Sequence, residues 1–202
     1  GRPMKTRSLL CLATATLLAG CAGSASSPSL FVLDPGSARQ PMSAAATART
    51  QLMVAPVEIA PVLDERGIVY QTGPHRVVIA NHNRWAAPLG EQLRESLIAT
   101  LAEELTDIQV VRRADSATTD RYTLRTRVEQ FMGHYDGQAR IVGEWQLDDP
   151  EGRAVVRQPF LQEVALTNDG YEALVESLAE GWQATGQAMA PAISRATSDR
   201  SR

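Results

Sequence analysis

Cys21 is the residue of this chain best placed for chemistry. It follows Leu18-Ala19-Gly20, and small side chains at 19 and 20 suit a peptidase that must cut immediately before the cysteine. After such a cut its thiol is a nucleophile at a new amino terminus, able to take up diacylglycerol. Other reactive types are sparse. The second cysteine is Cys11, so residues beyond 21 offer neither a thiolate metal site nor a disulfide framework. His75, His82 and His134 fall in turns or at strand ends, without carboxylates at ligand spacing. Asp64-Glu65, Glu103-Glu104 and Asp148-Asp149 are adjacent pairs whose members point different ways, reading as solvated charges and turn formers rather than acid/base couples. Gly-x-Ser-x-Gly, a Walker loop, a dinucleotide glycine fingerprint and His-Glu-x-x-His are all absent. The sequence predicts no catalytic residue, no metal and no cofactor except a covalent lipid on Cys21.

The residues ahead of Cys21 support that reading. Met4-Lys5-Thr6-Arg7 is a short positive region, and Ser8 to Leu18 is an apolar run. The run is shorter than the roughly 20 residues a membrane-spanning helix needs. With Leu18-Ala19-Gly20-Cys21 it forms a bacterial lipobox, which makes 1–20 a lipoprotein signal peptide and Cys21 the lipidated residue. Cleavage removes Arg2, Lys5 and Arg7, so 20 basic residues become 17 against 23 acidic, a net of −6 in place of −3. An acidic balance of that size argues against a nucleic-acid binder. Residue 22 is Ala rather than Asp, which favours the outer over the inner membrane. Several acyl chains, at about 0.8 kcal/mol per buried methylene, make such an anchor effectively permanent.

The elements that must hold the rest follow from periodicity. Cys21 to Pro28 (CAGSASSP) reads as a small, polar, flexible tether. Ser29–Leu33 reads as a strand closed by Asp34-Pro35-Gly36, and Gly36 to Arg49 as a loop. Gln51 to Ile59 alternates as a second strand, with Pro56 and Pro61 placing its later half at an edge or off the sheet. Gly67–Gln71 and His75–Ala80 flank a hairpin-like Thr72-Gly73-Pro74. Leu89, Leu93, Leu97, Leu101 and Leu105 then recur every four residues, a helical stripe opened by Pro88. A short strand at 108–112 precedes three long ones, 121–132, 138–147 and 154–166, that read as an antiparallel meander with one wet face. A second helix runs from Gly170 to Ile193 with Tyr171, Leu174, Leu178, Trp182, Met189 and Ile193 on one side; 194–202 reads as a fraying tail. The pattern predicts one α+β domain at 29–193, a largely antiparallel sheet with two amphipathic helices on one face.

One segment stands apart: Asn83-Arg84-Trp85-Ala86-Ala87-Pro88-Leu89, ahead of the leucine helix. Trp85 can staple the helix start to the sheet, with Arg84 paired to a carboxylate. Alternatively Arg84 and Trp85 form part of a partner-binding surface, where these residue types are enriched. That segment also belongs to a longer series. Leu30-Phe-Val-Leu-Asp-Pro35, Val54-Ala-Pro-Val-Glu-Ile-Ala-Pro61, Leu63 to Tyr70, Arg84 to Leu89, Tyr122-Thr-Leu-Arg125, Gly143 to Asp148 and Gly170 to Val175 occur in order along the chain. In this order and spacing the sequence resembles the PqiC/YmbA-type lipoproteins, the ABC-type transport auxiliary lipoproteins.

That resemblance implies a non-enzymatic outer-membrane lipoprotein on the periplasmic face, serving an intermembrane system that moves lipids or other hydrophobic molecules. The implied partners are an MCE-domain protein that bridges the periplasm and inner-membrane transport components, and some relatives form a ring-like homo-oligomeric dock. Two rival readings use the same anchor. One is an assembly lipoprotein serving an outer-membrane β-barrel, as in lipopolysaccharide insertion. The other is a periplasmic enzyme, which requires a deep polar pocket with convergent titratable groups.

Overall fold

A computed structural model of the chain describes residues 23, 26–33, 48–114 and 120–200. The signal peptide, Cys21, most of the tether and the loop at 36–47 lie outside the described residues. Nine strands form one sheet: β1 (Ser29–Phe31), β2 (Thr50–Val54), β3 (Glu58–Ile59), β4 (Gly67–Gly73), β5 (Arg76–Trp85), β6 (Gln109–Val111), β7 (Asp120–Gly133), β8 (Gln138–Asp148) and β9 (Ala154–Ala165). Two helices, α1 (Leu89–Glu104) and α2 (Tyr171–Asp199), complete an α+β domain.

β7 organises the sheet. One of its edges pairs with β8 from Thr123 to Gly133, and β8 pairs with β9, both antiparallel. Its other edge is shared in succession by β2, β3 and β4, all parallel to it. The second strand foreseen at 51–59 is therefore two strands. Pro56 has no N–H to give the ladder, and the bonds from Ala55 N to Leu124 O and from Ala60 N to Val128 O, each 2.9 Å, bracket the gap. The meander is antiparallel as expected, as is the β4–β5 hairpin, but the sheet is mixed: β1 joins β5 and β6 joins β2 in parallel as well.

Alternation decides which face is buried. Leu124, Thr126 and Val128 on β7 and Ile141, Trp145 and Leu147 on β8 point inward, while Arg125, Arg127 and Glu144 point out. A bulge between Val128 and Gln130 resets the alternation so that Phe131 returns to the core. Two core-face glycines make room for rings from the neighbouring strand. A Cβ on Gly133 would lie 2.3 Å from the Tyr70 ring, and one on Gly143 would lie 2.5 Å from Phe160.

Both helices cover that face. Leu93, Leu97 and Leu101 of α1 are fully buried, and α2 buries Leu174, Leu178, Trp182, Met189 and Ile193. Trp182 ties the layers together. Its indole Nε1 donates to the Leu93 carbonyl at 2.9 Å, and its ring packs edge-on against Phe131 and Phe160. Gly186 lets α2 approach α1, since a Cβ there would meet Thr100 at 2.9 Å. The helix also outruns the sequence reading. It continues past Ile193 to Asp199, with Thr197 buried and bonded to the Ile193 carbonyl, so 194–199 is ordered helix rather than a frayed tail.

Candidate functional site

Of the residues singled out from the sequence, Cys21 lies outside the described residues. Arg84 and Trp85 both sit at the end of β5, on opposite faces as alternation requires. Trp85 is 6% exposed and its ring stacks obliquely on Phe131 with centroids 6.0 Å apart, so its indole belongs to the core. Arg84 is half-buried on the outer side, its Nε donating to the Asn81 carbonyl at 2.7 Å. The structure brings the two together in sequence but not on one surface.

A different cluster forms at the end of the sheet where β7 begins and α2 stops. Tyr122, Asp149, Arg153, Arg157, Arg195, Asp199 and Arg200 border an open groove of about 770 Å³, floored by Val155, Val156, Ala192 and Ala196. Four arginines stand against Asp149 and Asp199 in the hollow and Glu151 at its rim, a small positive excess on an otherwise acidic chain. A tail at 194–202, as the sequence suggests, hides this cluster, because Arg195, Asp199 and Arg200 belong to the end of α2. The signal was present, however: Ala192, Arg195, Ala196 and Asp199 follow the i, i+3, i+4, i+7 spacing that sets one helical face.

Local chemistry keeps the groove's charges fixed. Asp149 is 7% exposed; its carboxylate accepts the backbone N–H groups of Glu151 and Arg153, at 3.0 and 2.9 Å, and the Arg153 guanidinium at 3.1 Å. The Arg153 N–H leads in holding it below the ordinary carboxylate range, and the Arg153 charge adds to this. Arg200 pairs with Glu151 and in doing so lowers the Glu151 carboxyl. Burial raises the Tyr122 phenol, which stays protonated. The lowered Asp149 and Glu151 carboxyls are ionised at neutral pH. Such a groove can bind an anionic or hydrogen-bonding partner and steer it. Among the described residues no group of His, Cys, Asp and Glu is arranged to hold a metal, and no helix is long and apolar enough to cross a membrane.

The fold and its surfaces define a small α+β domain with a charged groove at one end and the amino-terminal strand approaching from the other. The family model for the ABC-type transport auxiliary lipoprotein component matches residues 31–190, and the chain belongs to that family, one of transport components rather than of enzymes. The intermembrane transport lipoprotein PqiC of Escherichia coli (strain K12) is 35% identical over 178 residues, which is 88% of this chain and 92% of that protein. PqiC of Shigella flexneri matches to the same extent. A crystal structure of an uncharacterized protein is 33% identical and superposes with a TM-score of 0.72, covering 83% of this chain and 99% of that one. A Xanthomonas campestris structure at 20% identity shares the fold, with a TM-score of 0.65 over 87% of this chain and 96% of its own.

Proposed function

We propose that this protein is a lipid-anchored, non-enzymatic subunit of an intermembrane transport system for lipids or other hydrophobic compounds. It is held by acyl chains on Cys21 to the periplasmic face of the outer membrane. The observation that carries the reading is Leu18-Ala19-Gly20-Cys21 standing directly ahead of a domain of the transport auxiliary lipoprotein family. Relatives named intermembrane transport lipoproteins, alike over most of both chains, support the transport assignment. Ala22 supports the outer membrane.

In this mechanism the anchor fixes position and the domain receives the end of a periplasm-spanning MCE-domain partner, with further copies of this chain completing a ring. The arginine groove is the receiving surface. It lies at the end of the sheet remote from the tether, and its excess of guanidinium groups suits an acidic segment of a partner, with bidentate contacts giving direction as well as attraction.

Two measurements test the reading. Cys21→Ser abolishes lipid attachment, and the protein then leaves the membrane fraction on high-salt washing; a variant that stays bound refutes the anchor. A photo-crosslinking amino acid at position 157 captures an MCE-domain protein from native membranes. Capture of a β-barrel instead favours the assembly-lipoprotein alternative, and absence of any MCE protein sinks the docking role.

A further inference from the structure

The end of the sheet from which the tether departs carries a second unusual surface. Val77, Val78 and Ile79 are consecutive, and each is 39–45% exposed. They follow the tip of the β4–β5 hairpin, with exposed His75 and Arg76 at the turn. Tyr70 pairs with Gly133, which sets this tip beside the β7–β8 turn, where Tyr135 is 49% exposed. The Tyr70 hydroxyl bonds the His134 carbonyl at 3.0 Å and locks the two tips together. Three of the four tyrosines, Tyr70, Tyr135 and Tyr171, lie at this end, and Tyr70 and Tyr171 border a hollow of about 670 Å³ behind the tips.

Two physical points identify what meets this surface. Successive strand residues face opposite ways, so Val78 is exposed on one side of the ribbon and Val77 and Ile79 on the other. A protein partner laid on one sheet face covers one side; a fluid interface wets both. The tether supplies the second point. β1 runs parallel to β5 with Ser29 opposite Asn83, so the chain ahead of Ser29 comes from the hairpin-tip side. Arg76 lies seven residues before Asn83, about 23 Å along a strand. Cys21 lies eight residues before Ser29, a reach of at most about 28 Å. An extended tether is therefore long enough to bring Cys21 to the level of the hairpin tip.

We infer that the β4–β5 hairpin tip, with Tyr135 beside it, rests in the interfacial layer of the phospholipid leaflet that holds the acyl chains of Cys21. The inference builds on the anchored reading above. Depth is limited by the backbone: among the described residues β5 pairs with β1 only at 83–85, leaving N–H and C=O groups of 76–82 that hydrocarbon cannot satisfy. The tip accordingly sits at the headgroup boundary, about 5–10 Å deep, where tyrosines are favoured and Arg76 meets phosphate.

The test uses the full lipidated protein in vesicles of phosphatidylethanolamine and phosphatidylglycerol. The lipid consumes the Cys21 thiol and Cys11 departs with the signal peptide, so one introduced cysteine is the only reactive thiol. Val78→Cys, Tyr135→Cys and, at the groove, Arg195→Cys each receive an environment-sensitive fluorophore, with nitroxide-bearing lipid as quencher. Positions 78 and 135, on separate hairpins, are read independently should one variant misfold. The expected result is blue-shifted emission and quenching several-fold stronger at 78 and 135 than at 195. Vesicle-bound protein with no more quenching at 78 and 135 than at 195 overturns the inference while leaving the anchor intact. A blue shift at 78 without lipid quenching means that a second copy covers the hairpin, which also overturns it. Protein that does not float with the vesicles defeats the anchored reading, and the inference falls with it.

Discussion

At the end of the sheet facing the tether, Val77, Val78, Ile79 and Tyr135 are exposed beside the polar turn residues His75, Arg76 and Asp169; at the end where α2 stops, arginines and aspartates gather around an exposed Val155. Both ends rest on the same strands, since β7 and β8 run from one to the other. The difference arises in what caps them. The β4–β5 and β7–β8 turns close the tether end together with the β9–α2 connection. The charged end is closed by the start of β9 and the last turns of α2, which bring Arg153 and Arg157 opposite Arg195 and Arg200. A domain polarised in this way can face a lipid surface and a protein partner at once, without either contact passing through its core.

That polarity depends on a rigid body between the ends, and the most damaging change is to the residue that joins its layers. Trp182→Ala removes a fully buried ring and the donor to the Leu93 carbonyl; urea unfolding should show a loss of about 3–5 kcal/mol. Gly133→Ala acts at the tether end alone, driving a methyl into the Tyr70 ring and parting the two hairpin tips. A loss of about 1–3 kcal/mol is expected, with faster amide exchange confined to 70–79 and 134–137. An unchanged exchange pattern there would mean that the tips are not locked.

Acid acts on both ends. Asp149 and Glu151 at the groove are held below their ordinary values. So is Asp136 at the other end, where burial pushes up but is outweighed by bonds from His134 and the Gln138 N–H and by the charges nearby. Carboxylates with depressed folded values contribute stability that is present above the unfolded range near pH 4 and is lost as the pH falls through the folded values. Stability should therefore decline from pH 5 downward. Arg200→Ala, which frees Glu151 to return toward its ordinary value, should make that decline shallower. The smallest effect on folding is expected from Arg157→Glu with Arg195→Glu, within about 0.5 kcal/mol of the parent in urea, because both are exposed at the groove. The same pair should strongly reduce crosslinking to the proposed MCE-domain partner, and unchanged crosslinking would remove the groove from the proposed docking surface.

The fold was legible where a period persists. The leucine stripe from Leu89 to Leu105 and the alternation through 121–147 carry enough repeats to fix element type and face. Parallel pairing of β2, β3 and β4 to β7 was not legible, since nothing local in Thr50–Val54 records that its partner is Asp120–Leu124. Trp85 illustrates the limit for sites. Its residue type suits a hot spot and a core equally, and only the placement of Phe131 behind it separates the two. The arginine groove draws on β9 and α2, whose relation is tertiary, so helical spacing could reveal one wall and not the other.

The shared edge of β7 also sets the order in which the molecule can be built. β7, β8 and β9 close through turns of a few residues and can form as the chain arrives. Thr50, by contrast, waits for Asp120, seventy positions later in the sequence, before it has a neighbour to bond. The segment made first is thus among the last to find its place in the sheet.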